Sequence, residues 1–427
     1  MSDDLVSPPK WKQSTLGASC SLLRDGTHLP PKRVEEGPLL LSVQNMIRGR
    51  LQTTPNDTRV SWAFYQQMHR SWAVMPNDVL LAIVGATIGK VCRAPSGFPP
   101  YTLQRSVAVL RGDQSSLLSE YLFWVVSDQS FTEQIWQRAN QTAQPGLYLA
   151  EIQKLRFLLP PLPQQRKIAR ILTTLDNVIT QTEALIAKYQ AIKQGLMHDL
   201  FTRGVDATGK IRSPQPEAPE LYKQSELGWI PKEWECGTIN EYCDIHNHLR
   251  FPIAAEERAE MQGEYPYYGP TGIFDSLDHY RVDGEYALIG EDGDHFLKFA
   301  THPMTILVSG KFNVNNHAHL LLGKNGCTTQ WVFTFFCHRD IKPHLTHQGA
   351  GRLKLNKAAL RAMPLVVPPT EEQSMICERF RSVNVRVQKE KEQVDKCRRL
   401  KTGLMQDLLT GKVPVKADEI KEIAAHA

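Results

Sequence analysis

From Gln164 onward, apolar residues recur at steps of four and three: Ile168, Leu172, Leu175, Ile179, Ile186 and Tyr189, with Thr182 interrupting and Lys193, Leu196 and Leu200 continuing the series. That spacing marks the seam of a helix built to lie against another helix. The seam returns as Ile376, Phe380, Val383, Val387, Glu390, Val394, Cys397, Lys401, Leu404 and Leu408, at a constant offset of 208. The polar interruptions match, Thr182 with Glu390 and Lys193 with Lys401, which predicts a specified register. Each copy opens on a double proline, Leu158-Leu159-Pro160-Pro161 and Val366-Val367-Pro368-Pro369, followed by Gln165 or Gln373. Each closes on Gly-Leu-Met-x-Asp-Leu, beginning at Gly195 and at Gly403. Proline breaks a helix interior, so the stretch to Pro163 is expected to be extended and the helix to begin near Gln164. A span of about 36 residues makes a helix roughly 54 Å long. One apolar stripe on so long a helix needs a partner, and the other copy supplies it.

The chain is thus one plan written twice, a module followed by a helix. Residues 1–157 form the first module, 158–204 its helix, 205–224 a proline-rich linker, 225–365 the second module, 366–412 its helix, and 413–427 a tail. The first module carries short apolar runs, Leu39 to Val43, Val79 to Val84 and Ser106 to Leu110, between turn residues. A 3.6-residue period over Leu117 to Ile135 adds a helix, so the fold class is α+β. The second module shows strand-like runs at Tyr286 to Gly290, Thr305 to Val308 and Trp331 to Phe336. The modules open alike, at Pro9-Lys10-Trp11 and at Pro231-Lys232-Glu233-Trp234, yet share little in their middles. One frame with different contents suggests two readers of two targets.

Composition narrows the class. No apolar run approaches a membrane span, and residues 1–10 are polar without a signal-peptide core, so a cytoplasmic chain with no membrane partner is expected. The eight cysteines contain no Cys-x-x-Cys pair and read as free thiols. A net charge of +5 is compatible with a polyanionic partner.

Val84-Gly85-Ala86-Thr87-Ile88-Gly89-Lys90-Val91 imitates a nucleotide phosphate loop, but the glycines are too close and Val91 replaces the hydroxyl residue such a loop needs. A glycine turn presenting Thr87 and Lys90 to a sugar-phosphate backbone fits better. His246-Asn247-His248 and Asn315-Asn316-His317-Ala318-His319 contain His-x-His without a further ligand at metal-site spacing. Asparagine and histidine on such a loop suit hydrogen bonds to base edges or phosphates. Glu291-Asp292-Gly293-Asp294 reads as a turn. No nucleophile, cofactor fingerprint or carboxylate set for catalysis emerges, and no metal site is expected.

These features together resemble the specificity subunit of type I restriction-modification systems. The matching motifs are Pro-Pro-x-x-x-Gln, Gly-Leu-Met-x-Asp-Leu, Gly85-Ala86-Thr87-Ile88-Gly89-Lys90, Tyr267-Tyr268-Gly269-Pro270-Thr271-Gly272-Ile273, Ile289-Gly290-Glu291-Asp292-Gly293 and Asn315-Asn316-His317-Ala318. The resemblance implies two target-recognition domains of mixed α/β structure. Their helices would pair as an antiparallel coiled coil with pseudo-twofold symmetry. It implies a chain that is not an enzyme and reads a bipartite site in double-stranded DNA. Two methyltransferase subunits and two restriction subunits would be its partners, with S-adenosylmethionine, ATP and Mg bound by them and no cofactor by this chain. The expected DNA contacts are Gln44, Asn45, Arg48, Thr87, Lys90 and Arg105 in the first module. In the second they are Tyr268, Thr271, Lys311, Asn313, Asn315, Asn316, His317 and Arg352. The rival reading is a coiled-coil adaptor holding two protein-binding modules. Gly195 and Gly403, each unfavourable within a helix by about 1 kcal/mol relative to Ala, suggest a close backbone approach at that point by a partner subunit.

Overall fold

The structure, a computed structural model, describes residues 11–28, 31–140, 145–348 and 352–415. The first opening motif before Trp11 and the tail from residue 416 lie outside them. The chain divides into two units, residues 1–183 with 392–427 and residues 184–391. Each unit therefore combines one module with half of each long helix.

In the first unit a six-stranded sheet runs in the order Cys20–Asp25, Val107–Gly112, Val79–Ala82, Val91–Arg93, Arg50–Leu51 and Met46–Ile47. Its central strands are covered on both faces, which is why they read as unbroken apolar runs. Val79, Leu81, Ala108 and Leu110 face a core shared with Tyr121, Leu122, Phe131, Ile168 and Leu172. Their neighbours Leu80, Ala82, Val107 and Val109 face a second core with Leu41, Met46 and Leu103. The second unit repeats the scheme with Cys243–Ile245, Ala318–Gly323, Val282–Gly290, Thr305–Val314, Gln262–Tyr268 and Ile273–Leu277. There Ala287, Ile289 and Leu321 join the core under the helices, and Tyr286, Leu288 and Leu320 the opposite one.

Each module is closed by its own ends. Lys12–Thr15 pairs antiparallel with Arg156–Leu159, and Glu235–Thr238 with Pro364–Val367. The strand that leads in is thus bonded to the strand that leads out into the helix.

The long helices span Leu162–Thr202 and Thr370–Leu409. The first begins before the expected Gln164. Pro163 is accommodated in its first turn, where a backbone N–H would find no helical partner in any case. The seam is as the periodicity predicts, with Ile168, Leu172, Ile179, Ile376, Phe380, Val387, Val394, Cys397 and Leu408 buried. Within the first unit, Asp176 is bonded to Lys401, and Glu183 lies 2.6 Å from Arg398. Within the second, Arg386 lies over the Tyr189 ring at 5.6 Å and Lys193 over the Phe380 ring at 5.2 Å. In both units one residue number falls as its partner's rises, so the segments run antiparallel.

A buried glutamine fixes each helix to its module. Gln165 Nε2 donates to the carbonyls of Ser116 and Pro160, and its Oε1 accepts from Leu118 N at 2.9 Å. Gln373 does the same with Gly326, Pro368 and Thr328 N. The aromatic residue three positions after the bonded amide also corresponds. Tyr121 donates to Leu158 O, and Trp331 to Val366 O.

Two expected elements differ. The helical period over Leu117 to Ile135 is two helices, Ser119–Val126 and Gln129–Arg138, because Asp128 caps the second by accepting from Ser130 N. The run Trp331 to Phe336, expected as a strand, belongs to the helix Thr329–Phe336, capped by Thr328. Buried nearly all round, it lacks the polar face that distinguishes helix from strand. The proline-rich linker is anchored: Arg212 makes two bonds to Glu372, and Tyr222 donates to Ser213 O. A Cβ at Gly195 or Gly403 would meet nothing within 4 Å among the described residues, so no part of this chain makes the close approach there.

Candidate nucleic-acid interface

In the first module, the loop after Val79–Ala82 returns directly into Val91–Arg93 as a hairpin. It therefore lacks the helix N-terminus that gives a nucleotide phosphate loop its anion site. Gly85 and Gly89 adopt φ of +84° and +87°, and the turn closes through Ile88 N to Gly85 O and Lys90 N to Thr87 O, each 3.1 Å. Thr87 is exposed at its tip. Lys90 Nζ reaches 3.5 Å from the carbonyl of Val43, which neighbours the exposed Gln44. Arg48, at φ +49°, leaves most of its side chain in solvent with Nη1 at 3.0 Å from Glu183. Arg105 is exposed on the turn between Tyr101–Leu103 and Val107–Gly112.

Asn45 departs from expectation. It is buried, its Oδ1 accepting from Ser42 N and its Nδ2 donating to Gln52 O and Asp57. Its side chain holds the loop's shape and is not presented to a ligand.

In the second module, Tyr268 ends a strand that runs parallel to Thr305–Val314, with Tyr268 opposite Val314. Asn315 N donates to Tyr268 O, so the two turns that follow these strands lie side by side. One carries the exposed Thr271; the other carries the exposed Asn316 and half-buried His317. Asn316 and His317, with Arg258 and Phe274, edge a cavity of about 380 Å³. His317 Nδ1 lies 2.9 Å from Asp292 Oδ2, which orients its ring. Lys311 is exposed with Nζ 4.6 Å above the Tyr280 ring. Arg352 pairs through its backbone with Gln348, and its side chain lies outside the described part.

Asn313 and Asn315 are supports. Asn313 is wholly buried, accepting from Arg281 N and donating to His279 O. Asn315, also buried, accepts from His317 N at 2.8 Å and so shapes the turn that presents its neighbours.

Behind this turn lies a charged cluster that the sequence reading missed. Arg250 donates to Glu291 Oε2 at 2.7 Å and to His319 Nδ1 at 2.6 Å, and Lys354 Nζ lies 3.3 Å from Glu291 Oε1. His319 donates through Nε2 to Leu355 O, so its unprotonated Nδ1 faces the cations. Burial, reinforced by Arg250, pushes this imidazole down to about 4. Glu291, expected in a simple turn, is the carboxylate that balances Arg250 and Lys354. Arg250 lies 41 and 69 positions from its partners, so no local pattern marks it. Among the described residues, His, Cys, Asp and Glu form no group able to hold a metal ion.

Comparison with known proteins supplies the family. The model of the type I restriction modification DNA specificity domain matches residues 63–194 and 231–395, more than half of the chain. A putative type I restriction enzyme specificity subunit of Haemophilus influenzae is 32% identical over 157 residues, 37% of each chain. The putative type I restriction enzyme MjaX specificity subunit of Methanocaldococcus jannaschii is 24% identical over 96% of this chain and 95% of its own. Among solved structures, the S subunit of a type I restriction-modification system from M. genitalium superposes with a TM-score of 0.65 at 15% identity. That match covers 95% of this chain and 97% of the other and shows a shared fold.

Proposed function

The chain belongs to the specificity subunits of type I restriction-modification systems, and from that premise we propose that its two modules read the two halves of a bipartite DNA site. The observation that carries this reading is the contrast between a duplicated frame and unlike loops. Both modules are closed and fixed to a helix by the same bonds, yet one offers Gln44, Thr87, Lys90 and Arg105, the other Thr271, Lys311, Asn316 and His317. Threonine, lysine and arginine on turns suit phosphate oxygens, which position a protein on the duplex. Glutamine, asparagine and histidine suit base edges. The paired helices set the separation of the half-sites. Two methyltransferase subunits dock on the duplicated frame, joined by two restriction subunits. S-adenosylmethionine, ATP and Mg act on those partners, and this chain contributes recognition without catalysis.

Mapping methylated adenines in cells that express the chain with its methyltransferase partner tests the proposal. Two specified half-sites separated by unspecified bases are expected; one continuous motif would overturn it. Lys90→Ala should weaken binding across sequences and lower the slope of affinity against salt by about one.

A further inference from the structure

The second unit contains a cavity of about 880 Å³ between its helix segments and its module. Its apolar wall includes Phe201, Phe333, Ile306 and Val387, and its polar wall includes Lys193, His338, Arg339 and Lys391. Among the described residues, no aspartate or glutamate lines it.

The first unit shows how the same place is filled when it is only structural. At the offset of 208, Lys193 corresponds to Lys401, Asn384 to Asp176, Lys391 to Glu183, and Gln190 to Arg398. In the first unit both carboxylates are used: Asp176 bonds Lys401, and Glu183 bonds Arg398 at 2.6 Å. In the second unit both carboxylates are gone, one replaced by an amide and the other by a further cation. Lys193 Nζ instead meets His338 Nε2 at 2.8 Å. That ring donates Nδ1–H to Phe299 O at 2.9 Å, so the nitrogen facing Lys193 is a neutral acceptor. Arg339 lies 3.7 Å from the Phe335 ring centroid and, among the described residues, is bonded to no carboxylate. Burial pushes the Lys193 ammonium below its ordinary range and Arg339 down to about 10. Two partly buried cations, Lys193 and Arg339, with no carboxylate bonded to them among the described residues, are an unfavourable arrangement for a chain to keep unless something balances them.

We propose that this cavity binds a small organic anion, its apolar body against Phe201, Phe333 and Val387 and its anionic oxygens against Lys193 and Arg339. The volume falls within the range usual for small-molecule sites, about 300–1,000 Å³. Charge-assisted bonds from two partly buried cations would give the anion its orientation. This site does not depend on the DNA-reading assignment.

The test uses the full chain and two fluorescent probes of similar shape: 8-anilinonaphthalene-1-sulfonate, which is anionic, and uncharged N-phenyl-1-naphthylamine. One saturable equivalent of the anionic probe is expected, bound at least about tenfold more tightly than the neutral one, as a charge-assisted contact requires. Asn384→Asp restores the carboxylate found in the first unit and should abolish that preference, as should Arg339→Gln. Asp176→Asn in the first unit should leave it unchanged. Circular dichroism and thermal midpoints separate loss of the site from loss of the fold. Equal affinity for the two probes, or a preference that survives Asn384→Asp in the folded protein, would overturn the proposal. So would displacement of the probe by the methyltransferase subunit but by neither ATP nor decanoate, because the cavity would then accommodate a protein segment.

Discussion

The two helix starts are built from one pattern and differ by one residue in what they hold. Gln165 and Gln373 make the same three bonds to the backbone, to which Gln373 adds one accepted from the Thr328 hydroxyl, so the backbone joint between helix and module is common to both units. One position earlier the units diverge. Gln164 accepts a single bond from Trp11 at 2.9 Å, whereas Glu372 is buried, bonded twice to Arg212 and once to Val205 N at 2.8 Å. In the first unit this position holds Trp11; in the second it fastens the linker through Val205 and Arg212. Repeated residues hold what the units share, and the residues that depart from the repeat hold what each has alone.

The largest effect should separate these two positions. Glu372→Ala leaves Arg212 with only the more distant, exposed Glu233 at 3.7 Å, a loss of roughly 3 kcal/mol, the lower end of the usual cost of breaking a buried ion pair. Gln164→Ala removes one ordinary hydrogen bond and should cost about 1 kcal/mol. Urea unfolding of the full chain, followed by hydrogen exchange resolved to each unit, measures both; equal losses would erase the distinction.

Acid should separate the units next. His319 stays neutral in the fold down to about pH 4, whereas an exposed histidine takes a proton near 6.5. As pH falls through that window the unfolded chain binds the proton first. Stability present above about 6.5 is then lost, by about 1.4 kcal/mol for each pH unit. Hydrogen exchange at pH 7 and 4.5 should show protection falling in Ala318–Gly323 more than in the corresponding Val107–Gly112. Uniform loss in both strands would remove His319 as the cause.

Substituting the glutamines tests the sameness instead. Gln165→Ala and Gln373→Ala each orphan buried backbone groups, at about 1–3 kcal/mol, and the two losses should agree to within the roughly 1 kcal/mol of the one extra bond that Gln373 accepts from the Thr328 hydroxyl. A large difference would mean that the shared joint is not equivalent.

The smallest effects should have opposite signs. Lys401→Met strands Asp176, which is partly exposed, and should cost about 1 kcal/mol. Lys193→Met removes a cation whose charged form burial disfavours, so thermal stability near pH 7 should hold or rise. That gain should shrink as pH climbs toward the normal lysine range, because the native chain sheds the disfavoured charge. A loss on Lys193→Met equal to that at Lys401 would show the two lysines to be balanced alike.

The sequence made the shared frame legible because its signals are local. The seam, the paired prolines and the glutamine five residues after the first of them lie within one stretch and recur at a fixed offset. Thr329–Phe336 was misread because burial nearly all round removes the periodicity that distinguishes helix from strand. The loop residues differ in role. Thr87, Thr271, Asn316 and His317 are presented at turns. Asn45, Asn313 and Asn315 turn inward, since an asparagine that satisfies a backbone resembles, in sequence, one that reaches outward. Arg250 and Glu291 were missed because tertiary folding alone brings them together.

The division of the long helices has a consequence for synthesis. Residues 184–391 are continuous, so the second unit can complete itself from an unbroken stretch of nascent chain. The first unit needs residues 392–409 to finish the core that includes Leu172 and Leu408. Domains usually fold from the N-terminus as they emerge; here the module made first is completed last. A ribosome stalled before residue 392 would hold a second unit with all its parts and a first unit with part of its core still in water.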